Sequence, residues 1–151
     1  PEALVAPVLR FKGNEDFGTS HFDQRILQRA VVGGFYEKHL EQIAGVYRKK
    51  AGVMEESLKT HFPKEARWTT PTGGLYYWVS LPAGTDCGVE SGIFKKSLDA
   101  EVFYVPGELC YCDSPLRAKP KHQMRLSFGS ASIDQIREGI KRLGKTLAAS
   151  I

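Results

Sequence analysis

Several things are scarce in this chain, and each scarcity removes a class of function. No apolar run in its 151 residues approaches the roughly 20 residues that a membrane helix needs, so no membrane partner is expected. The opening residues, Pro1-Glu2-Ala3-Leu4, have no basic stretch leading into an apolar core, so no signal peptide is visible. They also lack a starting Met, which suggests a processed or excised piece. Cysteine is rare: Cys87, Cys110 and Cys112 cannot all pair within the chain. An odd count without a secretory signal points to a reducing compartment, the cytoplasm. Cys110-Tyr111-Cys112 with His122 is one close pair of thiols, whereas a closed zinc site usually takes two spaced pairs. No metal is therefore expected. No Ser/His/Asp or Cys/His nucleophile pattern, phosphate loop or dinucleotide fingerprint is present. There is no internal repeat and no low-complexity stretch. Charge of one sign is only slightly in excess, 21 basic against 17 acidic residues, net +4. The basic side chains are spread along the chain rather than gathered in one stripe, which argues against nucleic acid.

What remains is an ordinary globular composition, 42% apolar and 25% charged, suited to one domain or one lobe of a larger protein. Leu4, Val8 and Phe11 recur at helical spacing over residues 1–12, with Pro7 as a disturbance, and a polar loop is expected over Gly13 to Gly18. Thr19 or Ser20 can cap a second helix that carries Ile26, Leu27, Ala30 and Val31 and breaks at Gly33-Gly34. From Tyr36 the apolar positions Leu40, Ile43, Tyr47, Met54, Leu58 and Phe62 predict one long helix, stopped by Pro63. Its length, about 40 Å at 1.5 Å per residue, exceeds a small domain and suits a bridge between two lobes. Short strands are expected at Arg67 to Thr70, Leu75 to Leu81, Val102 to Val105 and Met124 to Phe128, with a helix from about Val89 to Leu98. Ser132 and Gln135 have capping-box spacing ahead of a stripe of Ile133, Ile136, Ile140, Leu143 and Leu147. The predicted class is α+β: two or three strands, mainly antiparallel, covered by helices.

One residue is out of character. Arg125 stands between Met124 and Leu126 in an apolar strand. If Met124, Leu126 and Phe128 face the core, Arg125 faces away from it. A solvated surface arginine is one reading. The other is an anion receptor, because a guanidinium presents two parallel donors that match a carboxylate and a strand holds it rigidly.

Three strings decide between them: Pro71-Thr72-Gly73-Gly74-Leu75-Tyr76-Tyr77-Trp78, Val102-Phe103-Tyr104-Val105-Pro106-Gly107 and Arg125-Leu126-Ser127-Phe128. With Thr19-Ser20-His21-Phe22-Asp23-Gln24 before them, they resemble the carboxyl-terminal part of fold-type-I pyridoxal-phosphate aminotransferases. The resemblance is to the 2-aminoadipate and kynurenine aminotransferase subgroup. It covers almost the whole chain, in order and in spacing.

The resemblance implies a small domain with an interdomain helix: residues 1–35 end the large domain, 36–62 form the interdomain helix and 63–151 the small domain. It implies that Arg125 binds the substrate α-carboxylate and that Tyr76 borders the substrate pocket. It implies pyridoxal phosphate as cofactor, α-amino acids and 2-oxo acids as substrates, ping-pong transamination and a homodimer. Cys110 stands where relatives often carry an aromatic residue, which leaves side-chain preference open. No lysine here has the sequence context of the family's Schiff-base lysine, so the chain alone is expected to be inactive. Two further readings stand beside this one: a ligand-sensing aminotransferase-like domain of a DNA-binding regulator, and a stand-alone binding module.

Overall fold

A computed structural model describes residues 1–151. The chain divides into two compact units, Pro1–Ala44 and Gly45–Ile151. The boundary falls inside one continuous helix. None of the helices is long and apolar enough to cross a membrane.

The first unit holds α1 (Glu2–Asp16), α2 (His21–Val32) and the start of α3 (Phe35–His61). Helix α1 runs four residues past the predicted end and takes Pro7 and Gly13 inside it. The expected loop shrinks to Phe17 and its neighbours. A proline interrupts one backbone hydrogen bond and crowds the preceding turn, but it does not end this helix. Ser20 caps α2, its side chain accepting from the Asp23 amide. No residue of this unit is buried.

The second unit holds the rest of α3, strands β1 (Arg67–Thr69) and β2 (Tyr76–Ser80), α4 (Gly92–Asp99), β3 (Val105–Pro106), a 3-10 turn (Gly107–Cys110), β4 (Gln123–Ser127) and α5 (Ile133–Ala148). Helix α3 has 27 residues, ending just before the predicted stop. The sheet has four strands rather than two or three, in the order β1-β2-β4-β3, antiparallel throughout. The expected strand at Val102 to Val105 is displaced. Only Val105 and Pro106 find partners, Arg125 and Met124 of β4. Pro106 has no amide hydrogen, so it fits only an edge strand, and β3 is the edge.

One face of the sheet is the core face. Tyr77, Val79, Met124 and Leu126 meet Met54 and Leu58 of α3, Ile93 of α4 and Ile136, Ile140, Leu143 and Leu147 of α5. The stripe on α5 therefore faces the sheet, as its spacing predicts. Both halves of its capping box form: Gln135 N donates to Ser132 Oγ and Ser132 N to Gln135 Oε1. The α3 and α5 backbones pass so closely that a Cβ on Gly144 would lie 2.9 Å from the His61 carbonyl carbon. Tyr77 crosses the core and donates to Ala51 O at 3.0 Å and Glu55 Oε2 at 2.9 Å. Burial, then the bond to Glu55, push its phenol well above the ordinary range.

Candidate functional site

The second face of the sheet is open. Alternation along β2 and β4 places Tyr76, Trp78 and Ser80 beside Gln123, Arg125 and Ser127 on that face. Arg125 sits directly opposite Trp78 on β2 and Val105 on β3. A central strand thus carries it, with a paired neighbour on each side. Its guanidinium carbon lies 4.5 Å from the centre of the Tyr76 ring, a cation–π contact with the diagonal neighbour. The two candidate residues of the sequence analysis are therefore in contact, with Tyr76 46% exposed.

The chemistry of Arg125 lies in what it does not touch. Its Nε is buried and has no hydrogen-bond partner. None of the chain's ion pairs includes it. Leaving a buried donor of a charged group unpaired costs about 1–3 kcal/mol or more. Such a group is stabilised when an anion supplies the acceptors.

Behind Arg125, a polar chain crosses the same face. Tyr111 donates its hydroxyl to Gln123 Oε1 at 2.7 Å, and Gln123 Nε2 donates to Ser80 Oγ at 3.1 Å. The Tyr111 ring packs edge-on against Trp78, centroids 6.1 Å apart. The turn after β3 aims Tyr111 at the sheet. Gly107 opens that turn against β4, where a Cβ would lie 2.7 Å from Gln123 O. Only glycine permits so close an approach. Tyr111 escaped the sequence analysis because its ring returns to the sheet across a turn, and no local spacing records that. Gln123 and Ser80 were findable from alternation alone: Gln123 lies two residues from Arg125 and Ser80 four from Tyr76.

A groove of about 810 Å³ in this unit lies elsewhere. Phe103, Ser130, Asp134, Glu138 and Arg142 line it, and it includes neither Arg125 nor Tyr76. Its guanidinium is already paired, with Glu101 at 2.7 Å and Glu138 at 2.9 Å. It therefore offers an anion less than Arg125 does. Cys87, the third thiol, is also committed, donating to Lys121 O and Gln123 O inside the core. Burial pushes its pKa up to about 12.

The face around Arg125 does not fit the cofactor that the resemblance implies. Its strand residues include no lysine to bond an aldehyde and no carboxylate to pair with a pyridine nitrogen. Its unpaired donor suits an anion instead.

No family model matches the chain. Individual relatives do. An aminotransferase of Saccharolobus solfataricus is 36% identical over 97% of this chain and 35% of its own length. The 2-aminoadipate transaminase of Thermus thermophilus is 33% identical over 97% of this chain and 35% of its own. The crystal structure of Pyrococcus horikoshii kynurenine aminotransferase superposes with a TM-score of 0.84 at 34% identity, over 99% of this chain and 35% of that one. An HTH-type transcriptional regulator of Bacillus subtilis matches at 24% identity over 95% of this chain and 28% of its own. The chain thus spans about a third of the relatives it matches. Sequence and fold together match almost the whole of this chain to the carboxyl-terminal part of the fold-type-I pyridoxal-phosphate aminotransferases.

Proposed function

We propose that this chain supplies the substrate-carboxylate grip of an aminotransferase that moves an amino group from an α-amino acid to a 2-oxo acid. The single observation that carries this reading is the buried, unpartnered Nε of Arg125 on the open sheet face. A carboxylate docking there would accept parallel N–H bonds from the guanidinium. Tyr76 supports the guanidinium plane from one side and borders the bound substrate. Fixing the carboxylate fixes the direction of the substrate's Cα–H bond, which is catalysis by positioning.

Pyridoxal phosphate supplies the electron sink of such a reaction when bound. Its lysine and phosphate donors would lie in the part of the relatives that this chain does not span. The chain by itself is then inactive. The reading extends to a homodimer in the cytoplasm, supported by the family resemblance and by the sparse, odd cysteine count.

The test uses the whole protein. Arg125→Ala should lower kcat/KM for α-amino acids about a hundredfold or more, while cofactor absorbance stays nearly unchanged. A charged, water-shielded pair is worth about 3 kcal/mol at the upper end of such bonds. Arg125→Lys should recover only part, because an ammonium lacks the planar fork. Amines without a carboxylate should lose much less. Near-normal turnover in both variants would remove the assignment. The match to regulators favours a second reading, ligand sensing without turnover. It predicts amino-acid binding that needs Arg125 but no product formation.

A further inference from the structure

Cys110 and Cys112 are free, and both are exposed. Between them Tyr111 is extended, with φ −109° and ψ 139°. Its ring and hydroxyl are tied to Trp78 and Gln123 of the open face. Cys110, the last residue of the 3-10 turn, precedes this extended residue, and Cys112 follows it. The two thiols thus flank the residue whose side chain ties the end of this turn to Trp78 and Gln123.

We propose that Cys110 and Cys112 form a reversible dithiol–disulfide site, and that closing it withdraws Tyr111 from Trp78 and Gln123. The geometry links the two. Two residues of extended chain span about 6.6 Å. A disulfide usually holds Cα atoms about 4.4–6.8 Å apart, most often about 5.5–6 Å, and Cβ atoms about 3.8 Å apart. The extended span lies near the upper limit, so closure at the usual separation bends the chain at Tyr111. The resulting ring is strained, which makes the bond easy to reduce.

The oxidant is a low-molecular-weight disulfide such as oxidised glutathione. One cysteine thiolate attacks a sulfur of that disulfide, forming a mixed disulfide and expelling one thiolate. The second cysteine thiolate then attacks the protein-bound sulfur and expels the other thiolate. The two protons lost by the cysteines end on the two released thiols. Two electrons pass from protein to oxidant. Cys87 stays outside this exchange, being fully buried with its thiol held protonated.

The inference does not depend on the carboxylate reading. Its test treats the whole protein with oxidised glutathione, then digests it with trypsin. The peptide Ser97–Arg117 holds Cys110 and Cys112 and no other cysteine. The expected product is that peptide lighter by two hydrogens and without an adduct, restored by dithiothreitol. Tryptophan fluorescence should shift with the same midpoint and reverse with it. The shift should be absent in Trp78→Phe. Cys112→Ser should retain the glutathione adduct instead of cyclising. A wild-type peptide that keeps the adduct, or does not react, would overturn the site. Cyclisation without a fluorescence shift would overturn the coupling to the sheet face. Equal oxidation of Cys87 would overturn the selectivity.

Discussion

Residues 1–44 carry apolar side chains at helical spacing much as α5 does, yet the two regions use them in opposite ways. Leu4, Val8, Phe11, Ile26, Leu27 and Val31 are all exposed, from 45% to 73%. On α5, Ile136, Ile140, Leu143 and Leu147 are at most 4% exposed. Both regions form helices, because helix formation needs only propensity, spacing and a start signal, and Ser20 and Ser132 both supply caps. Burial needs a second surface of matching shape. The sheet gives α5 that surface; within residues 1–44 nothing gives it to α1 or α2. An amphipathic pattern thus specifies a helix and a direction, and leaves open whether the direction is used.

The largest test of this contrast is hydrogen exchange on the 151-residue chain. Amides of β2 and β4 should exchange only through global opening, and those of α1 and α2 through local opening. Protection should differ by at least about a hundredfold, since local opening costs run from about 0 kcal/mol while core strands open at the global cost of about 5 kcal/mol or more. Equal protection would erase the distinction between the two units.

A pair of truncations sharpens it. Leu143→Ala removes a fully buried side chain and should cost about 2–5 kcal/mol in denaturant unfolding followed by near-UV signal. Leu4→Ala, at a 63% exposed position, should stay within about 0.5 kcal/mol. A second pair lies within one helix. Gly144→Ala drives a methyl into the His61 backbone and should cost about 1–3 kcal/mol. Gly139→Ala meets open space and should gain up to about 1 kcal/mol from helix propensity. Identical melting shifts for the two would mean that α3 and α5 do not approach as closely as described.

The smallest effect is in pH. Burial pushes the Glu55 carboxyl up, but bonds from Tyr77, Thr70 and Lys59 outweigh this and hold it below the ordinary range. Because the folded value is depressed, the stabilisation is present above the ordinary glutamate range. It is lost as pH falls through the depressed value. Glu55→Gln should narrow that acid-side loss by a few tenths to about 1 kcal/mol in unfolding measured at several pH values.

The elements of the second unit were mostly legible, each for a local reason. The capping box fixed the start of α5, the 3.6-residue stripe its face, and the alternation around Arg125 the open side of β4. Errors fell where a local signal competed with a distant one. Pro7 and Gly13 read as breakers, but one interrupted bond did not outweigh the turns on either side. Val102 to Tyr104 read as strand, but β4 offers ladder partners only to Val105 and Pro106, and the Tyr104 ring goes into the core, where its hydroxyl meets Cys87 O.

By itself the sequence determined the helices and their faces, the apolar face of the sheet and the side from which Arg125 projects, because those follow from periods of 3.6 and 2.0 along one chain. Only the tertiary structure decided that Tyr76 lies over the guanidinium, that Arg125 Nε finds no partner, and that Tyr111 returns to Gln123 and Trp78. Those contacts join β2, β4 and the turn after β3, and distances between separate strands are set by strand order and register, which no spacing within one strand encodes.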